Sequence, residues 1–178
     1  VKTNKGTYQA RAVVNAAGMY APEIEKLVSP STFSYQLIKG EYILLSKKSA
    51  HIAKRVLYLL PSEKGKGVLI IPKTNGEVMV GPNAIVVEKP TDTHVSDAGI
   101  QEIKNTVPLL INHIDYHDEI ARFSGIRPKS LTDDFIIEEN KHVPLFFNLA
   151  GIDSPGLSSA PAIAHYVVYE LLKPKLAF

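Results

Sequence analysis

The sequence has no cysteine and no tryptophan, and only two methionines. Without cysteine there is no disulfide, no thiolate nucleophile and no cysteine-held metal or iron–sulfur centre in these residues. That suits the cytosol, the expected location, with a peripheral membrane contact left open. No apolar run approaches the roughly 18 residues of a membrane-spanning helix. The opening VKTNKGTYQARAVVNAAG lacks the apolar core of a secretory signal. Charge is short of either sign: 20 Lys and Arg against 18 Asp and Glu leave +2. An excess that small, spread along the chain, argues against nucleic acid as a partner but allows a local anion site. Walker-type loops, G-x-G-x-x-G and a Ser/His/Asp set at recognisable spacing are all missing.

What remains is an ordinary globular balance, 45% hydrophobic and 21% charged over 178 residues, enough for one domain or two small lobes. The first residue is Val1, inside a run that reads as a hairpin, and the expectation is an excised piece of a longer protein. Thr7 to Asn15 reads as a strand and Pro22 to Val28 as a short helix with proline in its first turn. SPST, Ser29 to Thr32, reads as a linker. Strands are expected at Tyr35 to Leu45, Val56 to Leu60, Gly67 to Pro72 and Glu77 to Gly81. Asn75-Gly76 marks a hairpin between the last two. Ser96 caps a helix to about His113, with apolar residues at Ile100, Ile103, Val107, Leu110 and Ile111. Glu119 to Ile126, Phe135 to Glu139 and Leu145 to Ala150 read as strands. A last helix, Gly156 to Leu172, shows Ala160, Ile163, Ala164, Val167, Val168 and Leu171 on one face and stops at Pro174.

The pattern is α+β: an antiparallel β-sheet lobe with a long helix, flanked by α/β-like ends that form one lobe. The expected division is 1–32, 33–143 and 144–178.

Five stretches could carry chemistry. In VVNAAGMYAPEI a strand ends in small residues just before a helix, which suits either a tight turn or close backbone approach to a ligand. In FSGIRPKSLTDDF, Arg127 follows an apolar strand and precedes Pro128. A guanidinium held there suits a bidentate carboxylate or phosphate, or pairs with Asp133 or Asp134. Tyr42 in IKGEYILL either lines a pocket or packs, with Lys39 and Glu41 on the other side of the sheet. GIDSPGLSSAPAIA places glycine and serine at a helix N-terminus, whose free N–H groups and positive dipole end attract anionic or polar groups. His113 to Asp118 looks like a metal cluster but lacks a supporting ligand pattern and reads as solvated surface; His165 reads as structural. The hairpin Gly65 to Val86 reads as turn chemistry, with Pro72 and Gly81 able to lie against a flat ligand.

Taken in order, VVNAAGMYA, KGEYILL, KGVLIIPKTNGEVMVGPNA, SGIRP and GIDSPGLSSAPAIA resemble the D-amino-acid-oxidase-like family of FAD-dependent oxidoreductases, within it the glycerol-3-phosphate dehydrogenase branch. The resemblance spans nearly the whole chain. It implies that the ends are remnants of an FAD-binding lobe and the middle is a substrate-binding lobe. It implies FAD contacts at Asn15, Ala17 and Gly18, and at Gly151, Ile152, Gly156, Leu157 and Ser158. It implies Arg127, with Tyr42, as substrate-binding residues for a small anionic substrate, and hydride transfer from a secondary alcohol to flavin. An electron-acceptor protein or quinone would follow. The family's N-terminal strand, G-x-G-x-x-G and helix are not in these residues. The chain is therefore expected to need that missing segment as a partner, to bind FAD weakly or not at all alone, and to be active as the full-length parent. A 2-hydroxy acid such as 2-hydroxyglutarate, or an amino acid, suits Arg127 equally. A non-catalytic ligand-binding module is the reading from another class.

Overall fold

The computed structural model describes residues 1–60, 67–132 and 134–177. In chain order the strands are β1 (Lys2–Thr3), β2 (Gly6–Thr7), β3 (Val13–Asn15), β4 (Tyr35–Leu45), β5 (Leu57–Tyr58), β6 (Leu69–Pro72), β7 (Val78–Gly81), β8 (Ile85–Val87), β9 (Glu119–Ser130), β10 (Ile136–Glu139) and β11 (Phe146–Ala150). The α-helices are α1 (Ala21–Glu25), α2 (Asp97–Thr106), α3 (Gly156–Tyr166) and α4 (Lys173–Leu176). Mixed α+β structure with antiparallel sheets is what the sequence pattern indicated. Among the described residues no helix is long and apolar enough to cross a membrane.

The chain divides into two compact units, Val1–Gln36 with Pro128–Phe178, and Leu37–Arg127. In the first, β1 and β2 form a hairpin, and a three-stranded sheet runs β10-β11-β3. There β3 lies parallel to β11, Val13 opposite Phe146, while β10 is antiparallel to β11. A parallel pair needs a long connection between its strands. Here the chain leaves after β3 and returns at β11 more than a hundred residues later. Phe146, Phe147 and Ala150 of β11 are buried, with Ala21 of α1.

The second unit is an antiparallel sheet ordered β5-β6-β7-β4-β8, with β9 also paired to β4. The period-two alternation of β4 sends Ile43 and Leu45 into a core shared with Ile70, Val78, Val80, Ile100 and Ile103. Ser96 caps α2 as expected, its hydroxyl accepting from the Gly99 N–H at 3.1 Å. Glu41, on the core side of β4, is fully buried at the start of α2. It accepts from the Ser96 N–H (2.8 Å), the Ser96 hydroxyl (3.1 Å) and Asn83 Nδ2 (3.0 Å), with Lys39 Nζ at 3.7 Å. A carboxylate at a helix N-terminus is favoured by the dipole, which helps it remain inside.

Several boundaries differ from the sequence reading. The lobe expected over 33–143 narrows to 37–127, because β10 takes its ladder from β11 in the first unit. The strand expected over 7–15 survives at Gly6–Thr7 and Val13–Asn15, and residues 8–12 lie outside any ladder. The first helix ends at Glu25, its last turn closed by Leu27 and Val28 N–H bonds to Ile24 O and Glu25 O. α2 gives way at Val107 to a tighter turn, since Pro108 has no N–H to extend the ladder. The strand at Val56 shortens to Leu57–Tyr58, and Ile85–Val87 adds a strand to the sheet. β9 runs through Arg127 and Pro128 to Ser130, so Arg127 lies inside a strand and not at its end. Pro174 does not stop the last helix. A π-helical turn, Val167–Leu172, passes into α4 with Pro174 in its first turn, where a missing N–H costs least. Of the six residues on that helix's expected apolar face, only Val167 is fully buried. Gly65 and Asp133 lie outside the described residues.

Candidate functional site

β3 ends at Asn15, and Ala16, Ala17 and Gly18 turn the chain toward α1. Gly18 has φ +57°, a conformation natural to glycine, and an added Cβ there would meet no atom of the described residues within 4 Å. Ala16 and Gly18 line a cavity of about 290 Å³ in the first unit. Its other walls come from Leu149 and Ala150 at the end of β11, from Gly151, Ile152 and Gly156, from Ala160, Ile163 and Ala164 of α3, and from Pro128. The lining is almost wholly small or aliphatic.

Gly151 has φ +61°, and a Cβ there would lie 2.8 Å from Ser130 Cβ. Its N–H donates to the Tyr35 hydroxyl at 3.1 Å. Burial pushes the Tyr35 phenol up to about 12, with Glu23 and Glu25 adding to the rise, so it stays neutral at ordinary pH. Among the described residues no side chain caps α3, which starts after Pro155 and carries no acidic residue in its first turn. The Ser158 and Ser159 hydroxyls turn back to donate to Pro155 O, each at 3.0 Å. The first N–H of the helix, that of Gly156, donates to Asp153 O at 2.6 Å.

The structure separates the residues the sequence grouped. Gly18, Gly151, Ile152 and Gly156 line the cavity; Asn15, Leu157 and Ser158 do not. Asn15 is buried behind the turn, where Nδ2 donates to Ala21 O (2.8 Å) and Asn148 Oδ1 (2.9 Å). Ala17 is half-buried, and its N–H points at Asn15 Oδ1, 3.4 Å away. Leu157 is 94% exposed. The cavity is also lined by residues not among the expected cofactor contacts: Ala16, Pro128, Leu149, Ala150, Ala160, Ile163 and Ala164. Ala160 and Ala164 carried a signal, since small residues at i and i+4 share one helical face. Tyr35 carried none.

In the second unit Tyr42 stacks on Phe123 with ring centroids 5.1 Å apart and planes 11° apart. Burial raises the Tyr42 phenol above its ordinary value, while Arg127 opposes the rise by favouring the phenolate. Tyr42 and Arg127 are therefore close enough to feel each other, and Phe123 braces the tyrosine. Lys39 and Glu41 point to the opposite face of β4, as strand alternation requires. Lys39 is held there by Asp92 (3.2 Å) and His94 O (2.7 Å), and Lys73 pairs with Glu77 at 2.6 Å. Asp115 accepts from the His117 N–H, Asp118 accepts from Ser49, and His165 packs on Tyr169.

Residues 1–170 match the family model described as FAD dependent oxidoreductase, DAO. The chain belongs to this family. It is 39% identical over 171 residues to a glycerol 3-phosphate dehydrogenase of Caloramator mitchellensis, covering 96% of this chain and 35% of that protein. A glycerol 3-phosphate oxidase of Mycoplasma genitalium is 32% identical over 171 residues, 95% of this chain and 44% of its own length. Among solved structures, dithionite-reduced L-α-glycerophosphate oxidase of Mycoplasma pneumoniae with FAD bound superposes with a TM-score of 0.81 at 26% identity. That match covers 93% of this chain and 44% of the oxidase. The chain therefore spans less than half the length of these relatives.

Proposed function

We propose that the protein containing this chain is an FAD-dependent dehydrogenase that oxidises glycerol-3-phosphate to dihydroxyacetone phosphate. The observation that carries the cofactor part is the cavity of the first unit. Its small-residue walls and uncapped α3 N-terminus fit a flavin nucleotide, which needs close backbone approach and a positive dipole end beside a polar edge. FAD, when bound, accepts a hydride equivalent from a secondary-alcohol carbon. The protein's part is to bind and orient.

Gly18 and Gly151 keep the cavity wall free of side chains, and the small residues of α3 line the space without filling it. Arg127 offers a planar fork of donors suited to a phosphate or carboxylate. Tyr42, braced by Phe123, offers a neutral hydroxyl beside it. The glycerol 3-phosphate relatives favour phosphate as the anion. The diphosphate grip of a G-x-G-x-x-G is not in these residues, so full-affinity FAD binding and turnover are expected of the protein expressed from its complete reading frame.

The test is the visible spectrum of that protein, followed by addition of glycerol-3-phosphate without oxygen. A flavin band that bleaches supports cofactor and substrate together. A flavin band that ignores glycerol-3-phosphate and bleaches with 2-hydroxyglutarate moves the substrate to a 2-hydroxy acid. No flavin removes the oxidoreductase reading and leaves a binding module.

A further inference from the structure

Glu25, the last residue of α1, has a fully buried side chain. A buried carboxylate is costly unless hydrogen bonds replace its water. Five do so here. From the segment after α1 come the Thr32 N–H (2.8 Å), the Ser31 hydroxyl (2.9 Å) and the Thr32 hydroxyl (3.1 Å). Asn140 Nδ2, just beyond β10, donates at 2.6 Å, and Asn148 Nδ2 of β11 at 2.7 Å.

The Asn148 bond leads toward the cavity. Asn148 Oδ1 accepts from Asn15 Nδ2, and Asn15 Oδ1 is left facing the Ala17 N–H. Ala16 and Gly18, on either side of Ala17, form one wall of the cavity. An asparagine amide fits a site either way round, with its oxygen and nitrogen exchanged. A carboxylate only accepts. Glu25 therefore holds the Asn148 nitrogen toward itself and the oxygen toward Asn15. The Asn15 nitrogen donates to both Asn148 Oδ1 and Ala21 O, and the two acceptors together hold its oxygen toward the turn.

We propose that Glu25 is a positioning residue for the cavity: its carboxylate orients Asn148, which with Ala21 O anchors Asn15 and so holds the Asn15–Gly18 turn in the shape a flavin nucleotide meets. This rests on the flavin reading above. The three bonds from Ser31 and Thr32 tie down the chain after α1 and would serve stability alone. The bond to Asn148 is the one that reaches the cavity wall.

Three variants separate the roles. Glu25→Gln replaces an acceptor oxygen by a donor. Asn148→Ala cuts the hydrogen-bond chain but leaves Glu25 its bonds from Ser31, Thr32 and Asn140. Ser31→Ala removes a bond off the chain. Each is read by the FAD dissociation constant, from flavin fluorescence, and by amide hydrogen exchange at Ala17 and Gly18, in protein expressed from its complete reading frame. Glu25→Gln and Asn148→Ala are expected to weaken FAD binding by roughly tenfold or more and to speed exchange at both amides. Ser31→Ala lowers the thermal midpoint and leaves both readouts unchanged. Should Glu25→Gln fail to fold, Asn148→Ala carries the same expectation. A folded variant of either kind that keeps FAD affinity within about twofold of wild type overturns the proposal. Wild-type protein that takes no FAD sinks the flavin reading instead, and exchange at Ala17 and Gly18 then decides the positioning role by itself.

Discussion

Gly99 of α2 lies so close to Glu41 that a Cβ at that position would sit 1.7 Å from the Glu41 carboxylate oxygen Oε2 and 2.6 Å from Asn83 Nδ2. The glycine lets the helix N-terminus close over a buried anion, and the anion repays it by accepting from Ser96. Gly99→Ala gains helix propensity, worth about 1 kcal/mol in an open helix. Here it must displace either α2 or the carboxylate, and overpacking of that kind costs roughly 1–3 kcal/mol or more. The net expectation is a lower thermal midpoint, measured by circular dichroism. A midpoint equal to or above wild type would show that the helix shifts without penalty.

Acid should act through Glu25. Burial alone raises its carboxyl, but bonds from the Thr32 N–H, Ser31, Asn148 and Asn140 outweigh that and leave it below the usual 4.5. A carboxyl whose folded value lies below its unfolded one stabilises the fold above the unfolded value and loses that contribution as pH falls through the folded one. Glu139, lowered by Lys175 and the Leu145 N–H, acts in the same direction at the surface. Denaturant midpoints measured from pH 7 downward should fall in wild type below about pH 4.5. They should fall less steeply in Glu25→Gln. Parallel curves for the two proteins would assign the acid loss to other groups.

Two cavity glycines make a paired comparison. Gly18 and Gly151 both have positive φ, which costs a non-glycine residue roughly 1–2 kcal/mol. At Gly18 there is open space beyond that strain, whereas at Gly151 the new methyl group strikes Ser130. Gly151→Ala is thus expected to destabilise the protein more than Gly18→Ala, by calorimetry on the two variants side by side. Equal losses would mean that Ser130 moves aside freely.

If Arg127 holds the proposed glycerol-3-phosphate, Arg127→Ala should lower kcat/KM for it by roughly a hundredfold, the worth of two charge-assisted hydrogen bonds. Phe123→Ala leaves the guanidinium in place and frees the Tyr42 ring, so a smaller loss is expected, restored in Phe123→Tyr. Steady-state kinetics on the protein from its complete reading frame check both. An Arg127→Ala enzyme with unchanged kinetics would remove the arginine from substrate binding.

Much of this was legible because it depends on neighbours in the chain. Period-two alternation put Lys39, Glu41, Ile43 and Leu45 on one face of β4 and Tyr42 on the other. The Ser96 cap and the Asn75-Gly76 turn are likewise local chemistry. The small residues of NAAG suited either a tight turn or close backbone approach, and those of GIDSPG a polar group at a helix N-terminus; Gly18, Gly151 and Gly156 line one cavity.

Other features had no local signal. The sequence by itself determined where strands, caps and turns form, since those follow from backbone sterics and from hydrogen bonds a few residues long. Only the tertiary structure decided that β10 pairs with β11 and so belongs to the first unit, that Phe123 braces Tyr42, and that Tyr35 answers the Gly151 N–H. Glu25 and Asn148 are 123 positions apart, yet burial forces them together because neither can leave its polar atoms unpaired in the interior. That demand joins groups across the fold, and no spacing along the chain records it.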